Sequence, residues 1–374
     1  MSKQLTLERV INIIWLSVAL TFCWPLPANS SKIKTLGYKL LQIVSIISAS
    51  LLLLPLLYSA YVHTNNVIIA FKCFCLGSVL IQFIIQTIIC LINYDSIQYI
   101  VEEMMINVKE AKQYERAIFY KYIKKYYTFY GSSMVCMYLT ATTFSAGPMF
   151  LPNSFPSEAE YSFRVDYTPV RVILYMHQLI LSYQCAAHMC ISLFGALLFW
   201  YTSAKFECLA IELQKITNVR MLVVCLNKQI RLRRYAEEII KNFRFIIIYA
   251  IAISTFALTL CALIMLMNVS VIVKLQFIIS CVTVLTEIYV YAWSANHMMD
   301  LSTYVSQSAY ELRWFDLTLE MQKDLLIVLA YQKPVVFSVP CILPELSLRY
   351  YCSYLSNAFS IITAARVLLG KNSS

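Results

Sequence analysis

The chain has 374 residues and a formal net charge of +10; 60% of its residues are apolar and only 13% are charged. Soluble globular proteins are usually about 45–50% apolar and about 25% charged, so this composition excludes a soluble enzyme and indicates an integral membrane protein. The six glycines, at positions 37, 77, 131, 147, 195 and 370, are too far apart to form a loop that binds nucleotide phosphates or holds a catalytic serine.

The N-terminus combines two basic residues, Lys3 and Arg9, with an apolar stretch at 10–24. This pattern is similar to that of a signal peptide. However, polar residues at 12 and 17 interrupt the stretch, and prolines at 25 and 27 follow it. We therefore favour a segment that lies in the membrane interface or re-enters it, with a signal peptide as the alternative.

Seven transmembrane helices are predicted from stretches with few or no charged residues, because a helix needs about 20 mostly apolar residues to cross a bilayer. The first five stretches are 40–71, 73–94, 126–157, 172–204 and 245–273. The sixth span covers 271–295, with Glu287 near its middle. For this carboxylate we favour a structural role with hydrogen-bond partners among the hydroxyls or amides of neighbouring helices, and the alternative is a role in attracting cations to a hydrated vestibule. The seventh span covers 346–369. Prolines at 334, 340 and 344 interrupt the apolar residues between these two spans, so 317–332 is predicted to be a separate helix.

The basic residues are distributed unevenly between the two sides of these spans. With the N-terminus in the cytoplasm, the inside segments 1–39, 94–128, 204–244 and 296–333 hold 23 of the 30 lysines and arginines. Because cytoplasmic loops carry an excess of such residues, we expect a cytoplasmic N-terminus and an extracellular C-terminus. The sequons at Asn268 and Asn372 then face outward.

Apolar residues recur at helical spacing in each cytoplasmic segment that follows or precedes a span. The repeats are Ile97, Val101, Met104, Val108, Ala111; Phe206, Leu209, Leu213, Ile216; Leu232, Ala236, Ile239, Phe243; and Tyr310, Trp314, Leu317, Met321, Leu325, Val328. Because an apolar stripe on a helix outside the membrane must be buried, we predict a cytoplasmic helical bundle. This bundle either packs within one subunit or joins several. The nine basic residues of 204–244 are explained by the inside bias and by anionic lipid, so no nucleic acid is expected as a partner.

Cysteine and histidine do not form a convincing metal site. Cys185, His188 and Cys190 lie close together in the chain, but no fourth ligand is near them in this uncharged stretch. Free thiols in apolar segments usually pack as small apolar groups. We therefore expect no metal, no cofactor and no catalytic residues.

Several motifs in the C-terminal third carry a family resemblance. They are the spaced Ser306, Tyr310 and Trp314, then KDLLIVLAYQKP at 323–334, LSL at 346–348 and SNAFSIITAAR at 356–366. With these motifs the chain resembles the insect odorant receptors, a family of ligand-gated cation channels with the same inverted seven-span topology. Two departures occur: Ile361 stands where a tyrosine is usual, and Ala364-Ala365 replaces bulkier aliphatic residues.

The resemblance implies the assembly and the location of the protein. The second cytoplasmic loop is short and lacks the long insertion of the family's shared co-receptor. The chain therefore looks like a tuning subunit that forms a heterotetramer with the co-receptor in the plasma membrane of a sensory neuron dendrite. Membrane lipid and a small apolar odorant are the other expected partners.

We expect four regions in an all-α integral membrane protein. Residues 1–35 form a cytoplasmic or interfacial segment, and 36–300 form six spans with helical cytoplasmic extensions. Residues 301–345 form a cytoplasmic anchor helix and the entry to the last span. Residues 346–374 form the seventh helix, which the resemblance implies is pore-lining, and a short extracellular tail.

The resemblance also implies a ligand site between the outer halves of the second, third, fourth and sixth spans. The candidate residues there are Phe74, Ser78, Tyr138, Thr142, Ser145, Met149, Tyr175, Gln178, Ser182, Thr283 and Thr286. Taken one by one, such residues are more often plain contacts between helices. None of them is basic, so we expect a small, neutral, apolar volatile or a hydrocarbon rather than a carboxylate.

One face of the seventh span alternates small polar and aliphatic side chains at helical spacing. These residues are Ser360, Thr363, Ala364, Val367 and Leu368. Periodicity alone favours packing against neighbouring helices, whereas the resemblance favours a pore with an apolar gate. One helix cannot enclose water, so a pore requires an oligomer.

Three other functions remain as alternatives. A gustatory-type receptor channel is disfavoured because the chain lacks the TYxxxxxQF ending typical of that group. A G-protein-coupled receptor is disfavoured by the predicted orientation and by the absence of an Asn-Pro dipeptide and of an acidic-Arg-Tyr triplet. A transporter often shows internal repeats, and none is found between the two halves.

Overall fold

The computed structural model describes residues 6–150, 155–216, 218–310, 318–319, 322–323, 333–340 and 342–371, with their side chains except those at 309, 310, 365 and 367–371. Eleven α-helices make up most of this part of the chain. They are α1 Leu7–Val18, α2 Lys32–Val62, α3 Val67–Ile92, α4 Tyr94–Lys109, α5 Gln113–Ser145, α6 Gly147–Phe150, α7 Thr168–Met189, α8 Ile191–Leu213, α9 Val219–Leu266, α10 Val271–Tyr310 and α11 Leu348–Lys371.

Five helical segments in the described residues are long and apolar enough to cross a membrane. They are α2, α3, α7 together with α8, α9 and α10, and they correspond to the first, second, fourth, fifth and sixth predicted spans. The third predicted span overlaps α5, a helix of 33 residues that begins earlier and ends earlier than predicted, and the seventh overlaps α11, of 24 residues. The predicted all-α membrane fold is confirmed, and the sidedness stays a prediction.

Asparagine side chains mark the start of two of the long helices. Before α9, Asn218 Oδ1 accepts a hydrogen bond of 2.9 Å from the backbone N–H of Met221. Before α3, Asn66 Oδ1 accepts one from the N–H of Ile69 at 3.4 Å. A side-chain acceptor at this position satisfies an N–H group that has no partner within the helix, which fixes where the helix begins.

Helix α8 lies at the centre of the molecule and is buried along nearly its whole length. It packs closely against α9 and α10 at Gly195. A Cβ atom at this glycine would lie 3.2 Å from the ring of Phe243 and 3.2 Å from the ring of Tyr291. A side chain at this position would therefore need these rings to shift by a few tenths of an ångström, so the glycine suits the close approach of three helices.

The apolar stripes predicted for the cytoplasmic segments pack into the main core. The stripe that begins at Ile97 is buried as far as Ala111, and its helix, α4, is separated from α3 at Asn93. Phe206, Leu209, Leu213 and Ile216 are buried too, as are Ala236, Ile239 and Phe243, whereas Leu232 is half-buried against the core. These stripes confirm the predicted bundle. The fourth stripe and the helix predicted at 317–332 fall almost wholly outside the described residues, and the side chain of Tyr310 does so as well.

Two ion pairs hold the helices of this bundle together. Lys205 of α8 lies 2.7 Å from Glu115 of α5, and Lys228 of α9 lies 2.6 Å from Glu212 of α8. Burial alone would raise the pKa of Glu115, but hydrogen bonds from Lys205 and from the backbone N–H of Lys112 lower it below its usual value. The Glu115 carboxylate is therefore ionised at neutral pH.

Helix α1 packs against protein rather than only against the membrane interface. Ile11, Ile14 and Val18 are buried in the main core, and the helix contacts α5 and α8. The opposite face is open, with Leu16 66% exposed. The apolar stretch that resembled a signal peptide is thus an amphipathic helix of the folded chain.

Candidate ligand cavity

A cavity of about 120 Å³ lies between helices α2, α3, α5, α7, α9 and α10. Most of its lining is apolar, with Leu80, Met137, Phe144, Leu181 and Val284 among the larger side chains. Among the described residues, no Asp, Glu, Lys, Arg or His lines it. Because one water molecule occupies roughly 10–15 Å³ on the same scale, the cavity has room for a small organic molecule.

Two threonines from different helices meet at this cavity. The hydroxyl oxygens of Thr140 on α5 and Thr283 on α10 are 2.6 Å apart. Thr140 also lies within hydrogen-bond distance of the carbonyl oxygen of Cys136, and Thr283 within that of the carbonyl oxygen of Ile279. Two further lining hydroxyls, of Ser182 and Ser280, donate to the carbonyls four residues earlier in their own helices.

The outer wall of the cavity contains a non-helical segment, residues 155–161, which we call the strap. Gln178 of α7 is 1% exposed and holds the strap through both ends of its amide. Its Oε1 accepts hydrogen bonds from the backbone N–H and the hydroxyl of Ser157, at 3.1 and 2.9 Å, and its Nε2 donates to the hydroxyl of Tyr161 at 3.0 Å. Pro156 and Ser157 line the cavity directly.

An ion pair joins the strap to α3. Lys72 Nζ lies 2.9 Å from the Glu158 carboxylate, and both side chains are mostly buried. A smaller pocket of about 20 Å³ adjoins the cavity at Pro156 and Ser157, and both residues of the ion pair line it. The strap therefore contributes to both pockets, and the ion pair lies in the smaller one.

Glu287 of α10 lies one helical turn beyond Thr283, next to the cavity. It is 1% exposed, and its carboxylate accepts hydrogen bonds from Gln82 Nε2 of α3 at 2.9 Å and from Ser254 Oγ of α9 at 3.5 Å. Amide and hydroxyl partners on neighbouring helices were expected for this residue, and that expectation is confirmed.

Three of the eleven predicted ligand residues line the cavity: Gln178, Ser182 and Thr283. The other eight do not line it. Ser78 and Ser145 are buried, and Phe74, Met149, Thr142 and Thr286 face outward. Two tyrosines join helices to backbone: the hydroxyl of Tyr138 donates to the carbonyl of Ser17 at 2.7 Å, and that of Tyr175 to the carbonyl of Ser145 at 3.2 Å.

Several lining residues are absent from the predicted set. On α5 these are Met137, Thr140, Ala141 and Phe144, which recur at steps of three and four and so form one helical face. The predicted residues on this helix were chosen because they are polar. They do not lie on the face that lines the cavity. Leu52 and Leu56 of α2 and Ala257 and Cys261 of α9 also line it, and no pattern in the sequence distinguishes them from other core residues.

The predicted pore residues lie on α11. Ser360, Thr363 and Ala364 are exposed, and the two hydroxyls donate to the carbonyls of Ser356 and Phe359 in the same helix. The side chains of Val367 and Leu368 lie outside the described part of the chain. This face of α11 is thus open to a partner or to water in the single chain.

The cysteines and histidine considered as metal ligands have packing contacts instead. The ring of His188 lies 5.1 Å from that of Phe83, and Cys190 Sγ lies 3.7 Å from the sulfur of Met137. No three His, Cys, Asp or Glu side chains come together as a metal site in the described residues.

A family model described as 7tm odorant receptor matches residues 66–359. Odorant receptor 22c of Drosophila melanogaster is 26% identical over 137 residues, which cover 36% of this chain and 33% of that protein. Odorant receptor 10 of Aedes albopictus is 29% identical over 118 residues, which cover 30% of each. These alignments therefore span about a third of the length of the two curated relatives.

Solved structures extend the similarity to nearly the whole fold. The olfactory receptor OR5 from Machilis hrabei matches with a TM-score of 0.80 at 11% identity, over 96% of this chain and 97% of that one. The structure of the same receptor in complex with eugenol matches with a TM-score of 0.76 at 12% identity, over 97% and 98%. At this level of identity the similarity shows a shared fold.

Proposed function

The chain belongs to the 7tm odorant receptor family, and from this premise we propose that it is an odorant-sensing subunit of a ligand-gated, non-selective cation channel. The observation that carries the proposal is the uncharged cavity among α3, α5, α7 and α10. A small volatile that is itself apolar gains free energy by leaving water for such a cavity. A charged ligand would lose its hydration there without finding a partner.

The ligand site that we propose consists of the cavity lining, with Gln178, Ser182, Thr283 and Thr140 as its polar groups. Predicted residues that do not line the cavity support it indirectly. Tyr175, for example, bonds α7 to the end of α5, and Tyr138 bonds α5 to the N-terminal segment. The solved structure of the Machilis hrabei receptor in complex with eugenol supports a site for a small organic molecule within this fold.

We further propose that the functional unit is a heterotetramer of this subunit with the family's co-receptor, in the plasma membrane of a sensory neuron. The support is the open face of α11, where Ser360, Thr363 and Ala364 are exposed. A single helix cannot enclose an ion path, so copies of α11 from several subunits would have to line it. Apolar side chains at Val367 and Leu368 would then provide a gate that closes by excluding water.

The experiment that tests this function is a current recording from cells that express the chain with and without an odorant co-receptor. A panel of neutral volatiles is applied, and surface expression of both chains is confirmed by labelling. We expect odorants to evoke a cation current, and we expect the set of active odorants to depend on the presence of this chain. A panel that evokes no current from a complex at the cell surface, or a ligand profile that is unchanged when this chain is omitted, would contradict the proposal.

A further inference from the structure

We propose that the cavity selects odorants that donate a hydrogen bond, such as alcohols and phenols, and that Thr140 and Thr283 are the residues that make this selection. The inference rests on the proposed function and adds the chemical class of the ligand to it. It follows from the hydrogen bonds that the polar groups of the cavity wall already donate to other protein atoms.

In the described part of the cavity wall, every hydroxyl proton is engaged by a protein acceptor. Ser157 donates to the amide oxygen of Gln178, Ser182 to the carbonyl of Gln178, and Ser280 to the carbonyl of Gln276. A serine or threonine hydroxyl has one proton and two lone pairs. These side chains therefore offer a ligand their lone pairs and no free proton.

The threonine pair obeys the same rule in either of its two arrangements. If Thr283 donates to the carbonyl of Ile279, then Thr140 donates to Thr283, and the lone pairs of Thr140 remain open. If Thr140 donates to the carbonyl of Cys136, then Thr283 donates to Thr140, and Thr283 accepts at most a weak contact from the Cys136 thiol at 3.4 Å. In both cases one hydroxyl oxygen in the cavity wall has no proton to give and can accept one.

Few other donors are left in the cavity wall. Gln178 Nε2 uses one of its two protons on Tyr161, so a single N–H remains, at the strap. The thiols of Cys75, Cys185 and Cys261 are weak donors. Away from the strap, the polar surface of the cavity therefore consists mainly of acceptors.

This asymmetry separates ligands of equal size and shape. An alcohol can donate to Thr140 or Thr283 while every existing hydrogen bond is kept, so it gains one hydrogen bond. An ether at the same place can accept a hydrogen bond only if a hydroxyl turns away from its present acceptor. One hydrogen bond is then exchanged for another. The net worth of a neutral hydrogen bond corresponds to a preference of roughly two- to tenfold.

The test uses sets of three probes that have the same number of heavy atoms. One set is benzyl alcohol, anisole and ethylbenzene, and the other is 1-hexanol, methyl pentyl ether and heptane. The concentration for half-maximal current is measured for each probe on the full channel, with esters and ketones of similar size as additional acceptor-only probes. We expect each alcohol to act at a roughly two- to tenfold lower concentration than its ether.

The variants then assign this preference to the threonine pair. In the double variant Thr140→Val with Thr283→Val we expect the alcohol to weaken until it matches the ether, while the ether and the hydrocarbon keep their values. Thr143→Val on α5 and Thr303→Val on α10 serve as matched controls. Each of these hydroxyls bonds to the backbone of its own helix, and neither lines the cavity.

Four results would overturn the inference. Ethers, esters or ketones that act as strongly as the matched alcohols would do so, as would an acceptor-only probe that activates when no alcohol does. An alcohol preference that survives in the double variant would show that the threonines do not cause it. If no volatile of any class evokes a current from the surface-expressed complex, the proposed function itself is wrong, and the inference is overturned with it.

Discussion

The buried carboxylate of Glu287 shows how much of a residue's environment can be predicted from the sequence. An acidic side chain in the middle of an apolar span costs roughly 2.5–3.5 kcal/mol by insertion scales, so it was expected to have partners. Its partners Gln82 and Ser254 are 205 and 33 residues away in the chain, and no local pattern points to them. The sequence thus predicts that hydrogen-bond partners exist, and only the tertiary structure identifies them.

We expect Glu287→Gln and Glu287→Leu to differ sharply. The glutamine amide can accept the hydrogen bond from Gln82 and donate one to Ser254, so expression and odorant response should be preserved. Leucine leaves the buried amide of Gln82 without its acceptor, which costs about 1–3 kcal/mol and should lower both the melting temperature and the surface level. Thermal melts of the purified protein and surface labelling measure these effects.

A change of cation permeability in Glu287→Gln, with normal expression, would contradict this structural role. Ser254→Ala is a suitable comparison because the hydrogen bond that it removes is long, at 3.5 Å. We expect its effect on melting to be smaller than that of Glu287→Leu.

The cavity residues show the same limit of prediction. Gln178, Ser182 and Thr283 could be selected because polar groups stand out in apolar spans. Thr140 was not selected, although it lies two residues from the selected Thr142 on the same helix. Choosing between neighbouring faces requires knowing which helices pack against α5, and that depends on contacts between residues far apart in the chain.

At the scale of elements, the strap is held in place by interactions with three helices, α2, α3 and α7. Gln178 of α7 and Lys72 of α3 bind it by side chains, and the backbone N–H of Glu160 donates to the carbonyl of Pro55 in α2 at 3.3 Å. The sequence predicted a charge-free span over 126–157, whereas α5 ends at Ser145 and the strap begins ten residues later. Hydropathy alone does not distinguish an apolar loop from the end of a helix.

We expect Glu158→Gln to speed both the onset and the decay of the odorant-evoked current. The substitution removes an ion pair worth about 1 kcal/mol, so a barrier that requires the strap to move would fall and both rates would rise by up to roughly fivefold. The half-maximal concentration should stay constant, because a lower barrier changes entry and exit equally. Rapid perfusion of odorant measures both rates.

The charge-swapped double variant Lys72→Glu with Glu158→Lys provides the control for this experiment, since it restores an ion pair. Its rates should return toward those of the unchanged protein. Rates in Glu158→Gln that equal those of the unchanged protein would show that the strap does not limit ligand exchange.

At the scale of the whole molecule, the fold was predictable because its strongest determinants are local. Stretches with few or no charged residues located the five helical segments that are long and apolar enough to cross a membrane, and they also indicated α5 and α11. The stripes that begin at Ile97 and Phe206 located the helices that pack beyond the apolar stretches. The division of the fourth pass into α7 and α8 at Cys190 was not predicted, since the charge-free stretch continues through it. The cavity could not be located in this way, because it depends on how six helices fit together.

The distribution of basic residues leads to a prediction about sidedness. With 23 of the 30 lysines and arginines in the segments assigned to the cytoplasm, an epitope after Ser374 should be labelled by antibody on intact cells. An epitope before Met1 should be labelled only after the cells are made permeable. Labelling of the N-terminal epitope alone on intact cells would contradict both the orientation and the proposed channel.

The cavity and the main core are built largely from different side chains. Leu52, Leu56, Leu80 and Leu181 belong to one small cluster at the cavity, and Cys75, Ala257 and Cys261 belong to another. The three described stripes, which begin at Ile97, Phe206 and Leu232, belong to the large cluster around α8 or pack against it. Natural selection can therefore alter which odour the receptor detects, one wall residue at a time, while the surfaces required for folding and assembly stay under separate constraint. A gene family that descends from such a chain can diversify its ligands quickly while the packing of its main core is kept.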